Sequence, residues 1–252
     1  MNSPFRTSGR NRLMAALSPE DRALLEPHLE FVTFKERFVL ETPNRPIEYV
    51  YFLEHGVASV VAVNPDDTRI EVGVIGYEGV TGLSLILGDL RAANSTYVQL
   101  AGDGHRISAA ALRSAMEASP SLHRVLLKYV LAFLVQTAQS ALANGRAKLE
   151  VRLARWMLMA HDRMTTDAIP LTHEFLSIML GVRRAGVTVA LHAFERAGLV
   201  GMKRGEITVR DRAGLEKLAG SFYGMPEAEL NRLLGTVVAR ERPIAMPLAA
   251  AT

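Results

Sequence analysis

The chain of 252 residues contains no cysteine. That single absence excludes disulfides, thiolate catalysis, cysteine-ligated zinc and cysteine-ligated iron–sulfur clusters. A Walker glycine–lysine loop, a nucleophile elbow and an HExxH pair are also missing. The seven histidines, His28, His55, His105, His123, His161, His173 and His192, are scattered with no His-x-His pair. A metal-holding enzyme on a cupin-like roll is therefore disfavoured, and neither metal nor cofactor is read from the chain. No apolar run reads as long enough to span a bilayer, since the most apolar stretch, 126–143, contains Lys128 and turns polar in its second half. The N-terminus has arginines but no apolar core before a small-residue cleavage site. The expectation is a cytoplasmic protein with no membrane partner.

What is present looks like an ordinary globular protein of one or two domains, with 49% hydrophobic and 22% charged residues. The net charge of +3 is unevenly spread. Residues 1–145 hold 13 Lys/Arg against 15 Asp/Glu, residues 146–220 hold 13 against 8, and residues 221–252 hold 3 against 3. Affinity for nucleic acid depends on neutralised phosphates, so the positive segment favours a DNA partner there.

Ser18-Pro19-Glu20-Asp21 marks a helix start, with Ser18 as N-cap, Pro19 at the first position and acids in the first turn; the helix should run to about Leu29. Short β-rich runs follow at 31–34, 37–40, 49–53, 58–63, 69–75 and 96–100, separated by Gly, Pro, Asn and Asp turns. Many short strands in about a hundred residues predict an antiparallel roll or barrel. Within it, 76–89 followed by 92–96 interrupts the strands. Gly76, Gly79 and Gly82 allow close backbone approach, and a helical turn opened by Leu83 and Ser84 could aim amides at an anion. Glu78 could accept from hydroxyls while Asn94, Ser95 and Thr96 line the opposite wall, so these residues form the candidate effector pocket.

Residues 110–118 read as a short amphipathic helix, and Ser119-Pro120 caps a longer one running to about Ala143, where Asn144-Gly145 breaks it. Its first half is apolar over much of its circumference, so it needs cover on two sides, the roll on one and a second copy of itself on the other. Leu122, Val125, Leu126, Tyr129, Phe133, Gln136 and Ser140 are the candidate dimer contacts. A further amphipathic helix over 148–164 turns Leu149, Leu153, Trp156, Met157 and Ala160 inward.

Residues 171–199 read as two short helices about the turn Leu180-Gly181-Val182, the first with Leu171, Phe175, Ile178 and Met179 at helical spacing. The second helix buries Val187, Ala190, Leu191 and Phe194, leaving Arg183, Arg184, Thr188 and His192 elsewhere. Arginine forks suit phosphate oxygens and guanine edges. Two short strands at 200–202 and 205–209 then place Lys203 and Arg204 at a hairpin tip, so the whole is a winged helix-turn-helix whose wing touches phosphates. With Thr172 and His173 at the start of the first helix, these residues are the candidate DNA contacts. A closing helix spans 211–218, and the signal weakens from Ser221.

The fold class is thus α+β: an N-terminal antiparallel β-roll of the double-stranded β-helix or jelly-roll type, a long dimerisation helix and a C-terminal winged helix-turn-helix. The expected divisions are a flexible arm over 1–17, a sensor roll over 18–118, the dimer helix over 119–145, the DNA-binding domain over 146–220 and a partly disordered extension over 221–252. This order resembles the Crp/Fnr family of bacterial transcription regulators over about residues 18–220. The resemblance is carried most specifically by Thr172, Glu174, Gly181, Arg184, Glu195 and Gly198-Leu199, with Glu150-x-Arg152-Leu153-Ala154 before Trp156 and Tyr51-Phe52-Leu53 ahead of Gly56. It implies a homodimer on a palindromic double-stranded operator, each recognition helix (182–196) in a major groove, and RNA polymerase as a partner.

Departures from the family pattern narrow the signal. Cyclic-nucleotide-binding members place an arginine–serine pair where this chain has Asn94-Ser95, and asparagine cannot supply the bidentate charge for a cyclic phosphate. Tyr77 also lies between Gly76 and Glu78, so cyclic AMP and cyclic GMP are disfavoured and the small-molecule effector is unidentified. The iron–sulfur sensing branch needs cysteines, and His28, His55 and His105 carry no further sign of a haem ligand. In the recognition helix Ala185 and Val189 replace two usual readers, leaving base readout to Arg183, Arg184, Thr188 and His192. The alternative reading is a nonspecific or architectural DNA binder.

Overall fold

The computed structural model describes residues 10–235. The chain enters through a packed turn. Helix α1 (Arg12–Ala15) is capped by Asn11, whose side-chain oxygen accepts from the Met14 amide while its Nδ2 donates to the carbonyls of Leu53 and Gly79, both at 2.8 Å. Leu13 behind it has no solvent exposure. The loose arm expected over 1–17 is thereby corrected for 10–17, because a buried asparagine fully satisfied by the roll ties this segment down; residues 1–9 lie outside the described residues. Helix α2 (Pro19–Leu25) follows, with Ser18 capping the Asp21 amide as expected.

The roll is two antiparallel sheets. Strands β1 (Glu30–Phe34) and β3 (Tyr49–Leu53) flank β7 (Gly102–Ser108) in one. The other has the order β2 (Val39–Glu41), β6 (Ser95–Leu100), β4 (Val57–Val63) and β5 (Arg69–Ile75). Strand β7 was not anticipated, because GDGHRIS has glycines where a strand usually has branched residues. The glycines are there for proximity. A Cβ on Gly104 would sit 2.2 Å from the Phe52 carbonyl oxygen, and one on Gly102 would sit 2.1 Å from that of His55.

Helix α3 (Leu83–Ile86) is a single turn after β5, and α4 (Ala109–Ala118) leads into α5 (Pro120–Arg146). Ser119 caps α5 through the Leu122 amide at 3.2 Å, with Pro120 in the first turn. The helix passes through Asn144-Gly145 instead of breaking there; glycine inside a helix costs only about 1 kcal/mol, which packing readily overrides. Helix α5 is also long and apolar enough to cross a membrane by length and composition, contrary to the sequence expectation. Its inner face is packed on the roll.

The inner face of α5 is where the expected dimer contacts lie. Leu122, Leu126, Tyr129, Phe133, Gln136 and Ser140 are all buried inside the chain, and Val125 packs beside them. Gln136 shows why: its Oε1 accepts from the Val74 amide at 2.6 Å and its Nε2 donates to the Val74 carbonyl at 3.2 Å, closing the free edge of β5. That set faces the chain's own roll and is corrected as a dimer surface. The large apolar residues α5 exposes are Leu127, Leu131, Leu134 and Leu142, beside charged Arg124 and Lys128.

Helix α6 (Leu149–Arg163) carries the DNA-domain core, with Leu153, Trp156, Met157 and Ala160 buried. Strand β8 (Ala168–Ile169), α7 (His173–Leu180), α8 (Arg184–Arg196), β9 (Val200–Lys203), β10 (Glu206–Val209) and α9 (Arg212–Ala219) complete the winged unit, with sheet order β8-β10-β9. Its core is continuous with the roll: Val57, Val74 and Leu100 pack in one cluster with Trp156, Leu176 and Leu191. Helix α10 (Met225–Leu234), unanticipated, returns to lie against α5, burying Pro226 and Leu230. The extension beyond residue 235 lies outside the described residues.

Candidate nucleic-acid interface

Local chemistry sets the helix-turn-helix. Thr172 caps α7 by accepting from the Phe175 amide at 3.2 Å, and Gly181 ends it at φ +60°, a left-handed conformation that favours glycine. The chain then turns by 112° into α8, within the range of helix-turn-helix units. Arg152 of α6 holds the corner: its Nη2 donates to the Leu180 carbonyl and its Nε to Asn144 Oδ1. An arginine thus satisfies a helix-terminal carbonyl that would otherwise be an orphan.

A groove between α8 and the wing gathers six of the eight predicted DNA contacts: Thr172, His173, Arg184, His192, Lys203 and Arg204. Arg183, the N-cap residue of α8, is exposed outside the groove. Thr188 is joined to it through a hydrogen bond of 2.9 Å with His173 Nδ1. The Thr188 hydroxyl donates to the Arg184 carbonyl at 3.1 Å, so His173 is the donor in that pair. Burial, then the charges of Arg184 and His192, hold the His173 pKa below its ordinary value, which keeps the ring in that neutral donor form. Arg184 itself is 68% exposed and only loosely paired with Glu174 at 3.7 Å. Such an exposed pair is worth little and yields easily to a better anion. At the wing, Gly205 turns the hairpin at φ +76°, leaving Lys203 and Arg204 exposed; Lys203 lies 3.9 Å from Glu206. Glu195 steadies the wing by accepting from the Met202 amide at 3.3 Å.

The candidate effector cassette is dispersed. Gly82 and Thr96 do converge, but on the chain's own Glu41, whose carboxylate accepts the Gly82 amide at 2.7 Å and the Thr96 hydroxyl. Burial pushes the Glu41 pKa up, against the effect of those two donors. Glu78 turns away from them and pairs with Arg163 at 2.6 Å, both groups buried. Gly79 lies under α5, where a Cβ would collide with the Tyr129 hydroxyl at 1.9 Å, and a Cβ on Gly76 would meet the Arg163 stem at 2.6 Å. Leu83 begins α3, Ser84 Oγ accepts from the Ala93 amide at 3.3 Å, and Asn94 and Ser95 are half-buried at the start of β6. Sequence reasoning missed Glu41 because its strand is short and its anion-like placement depends on pairing with β6.

The contact between roll and DNA-binding unit was also missed. Glu71 of β5 accepts from the Trp156 indole at 2.6 Å and from the Ser59 hydroxyl at 2.5 Å. Burial pushes its pKa up to about 7, against the pull of Ser59, Trp156 and Arg155. Because the folded value lies above the unfolded one, the folded state keeps a proton that the unfolded chain loses between about pH 4.5 and 7. That contribution to stability is fully present below this window and lost as pH rises through about 7. Trp156 is the single tryptophan. Its fluorescence should therefore titrate with a midpoint near 7, and Glu71→Gln should abolish that titration and flatten the fall in melting temperature. An unchanged fluorescence titration in the glutamine variant would show that Glu71 is not the titrating group.

A β-roll thus shares its core with a winged helix-turn-helix, the two joined by one long helix. Residues 151–218 match the family model for the Crp-like helix-turn-helix domain. The chain has the fold of the Crp/Fnr transcription regulators. Similar solved structures include a regulator ascribed to the Crp/Fnr family of Eubacterium rectale (19% identity, TM-score 0.66, covering 84% of this chain and 99% of that one). FixK2 of Bradyrhizobium japonicum is 18% identical (TM-score 0.67, 77% and 98% covered). A CRP-family transcriptional regulator of Thermus thermophilus is also 18% identical (TM-score 0.62, 75% and 97% covered). No curated protein matches the sequence significantly.

Proposed function

We propose that the protein is a homodimeric, sequence-specific DNA-binding transcription regulator acting in the cytoplasm, with RNA polymerase as its downstream partner. The observation that carries this reading is the groove between α8 and the wing, where exposed Arg184, His192, Lys203 and Arg204 come together on one surface. Arg183 and Arg184 at the start of the recognition helix suit base edges, and Lys203 and Arg204 suit the phosphate backbone. Val189, 68% exposed on the same helix, is placed to touch a thymine methyl group. The departures in the recognition helix then mean an operator unlike the common family site.

Dimerisation falls to the outer face of α5. Leu127, Leu131 and Leu134 follow the four–three spacing of a coiled-coil seam, which exposed Ala138 and Ala141 continue. Two recognition helices carried on such a dimer reach half-sites one helical turn, about 34 Å, apart. The roll senses a signal, and because Glu41 already occupies the Gly82–Thr96 donors, a cyclic phosphate is not that signal.

Two measurements bear on this reading. Leu131→Glu, at a half-exposed position where the monomer should tolerate charge, is expected to sediment as a monomer and to lose tight operator binding; a dimer that persists would move the interface elsewhere. Lys203→Ala is expected to weaken binding to all sequences alike and to lower the slope of log K against log salt by about 1. A sequence-selective loss would make Lys203 a base reader instead.

A further inference from the structure

A cavity of about 220 Å³ lies where three parts of the chain meet. Its floor is α5, with Tyr129, Ala132 and Phe133; α6 contributes Asp162 and Arg163; its roof is α10. The roof lies beyond the segment 151–218 that matches the Crp-like domain. Arg12 secures the lip by donating to Asn231 Oδ1 at 2.8 Å.

Nearly every polar group around it is already spent. Glu78 is paired with Arg163, Gln136 with the Val74 backbone, and Asp162 with Arg212 and the Tyr223 hydroxyl. Glu227 is the exception. Its Oε2 is shut off from solvent and has no hydrogen-bond partner among the described residues. Burial pushes the Glu227 pKa up, with the charge of Arg163 opposing it. Leaving a buried acceptor unpaired costs about 1–3 kcal/mol, so such an atom marks a place where a partner is wanted. A carboxylate oxygen accepts, so the partner missing at Glu227 is a donor. The remaining surface is aromatic and aliphatic, from Tyr77, Tyr129, Phe133, Tyr223, Pro226 and Leu230. An apolar cavity of about 150 Å³ accommodates benzene. This one has room for a single ring bearing a short polar arm.

We propose that the cavity between α5, α6 and α10 binds a small one-ring molecule with an amine or amidine end, its N–H groups paired with Glu227. A ligand there touches the roll helix, the DNA-domain helix and the extension at once, and so couples their relative placement. The proposal goes beyond the DNA-binding reading and does not depend on it.

The test uses the full chain with tyramine and benzamidine as probes, and 4-hydroxyphenylacetate and benzoate as acidic counterparts of similar shape. At a probe concentration a hundred times Kd, the amines are expected to raise Tm by about 5–10 °C, and the acids to leave it unchanged. Glu227→Gln should abolish the shift. Ala132→Leu, which fills the cavity without touching the carboxylate, should abolish it too and decides the matter if the glutamine variant does not fold. No shift with either amine, an equal shift with the acids, or a shift that survives in either folded variant would overturn the proposal.

Discussion

Arg184→Ala is expected to lose about 1–3 kcal/mol of discrimination at one base pair of each half-site, while binding to unrelated DNA falls much less. The expectation follows from three features. Arg184 opens α8, where a recognition helix presents its first turn to base edges; it is 68% exposed; and its ionic neighbour Glu174, at 3.7 Å, is itself exposed and competes weakly. Glu174→Ala removes that competition and should raise affinity slightly for all sequences. Competition binding against duplexes changed one position at a time separates the outcomes. Equal loss on every sequence from Arg184→Ala would make it a phosphate contact.

The second large effect concerns stability. Arg163→Met should destabilise the fold by about 3–5 kcal/mol, because it leaves the Glu78 carboxylate buried without its cation. Arg163 is 5% exposed and bonds Glu78 through both Nε, at 2.8 Å, and Nη2, at 2.6 Å. Burial alone would pull the arginine pKa down, but the charges of Glu78, Glu227 and Asp162, with the hydrogen bond to Glu78, together outweigh it and the net shift is upward. A loss of that size is a large part of the 5–15 kcal/mol that typically separates folded from unfolded states. The double variant Arg163→Met with Glu78→Gln should recover much of the loss, since the Glu78 charge no longer lies bare. Urea unfolding of the two single variants and the double variant checks this, and a double variant no more stable than Arg163→Met would refute the ion-pair account.

What was legible in the sequence was what depends on local chemistry. Gly181 and short strands such as β4 announced themselves because left-handed turns and runs of β-branched residues between turn formers act within a few residues. Ser119-Pro120 did the same for α5. Which side of α5 faces inward was not legible, because the helix is apolar around much of its circumference and periodicity alone cannot tell a roll from a second protomer. Hence Leu122 and Phe133 were placed outward and Leu131 was missed. The buried polar groups were hidden for a related reason. Glu41, Glu71, Arg155 and Arg163 are charges whose partners lie on distant strands and helices, so nothing near them in the chain reveals that they are inside. Strand β7 was obscured by glycines that serve a neighbouring backbone, and α10 by its position after a complete winged unit.

Two copies of this chain are expected to read a two-fold symmetric site. Selection from a pool of random duplexes by the purified full chain tests it most directly. The expected product is an enriched inverted repeat whose half-sites are one helical turn apart, about 34 Å, with a guanine preference at one position that disappears in Arg184→Ala. Enrichment of no motif, with retention that falls uniformly as salt rises, would contradict it and leave a nonspecific DNA binder.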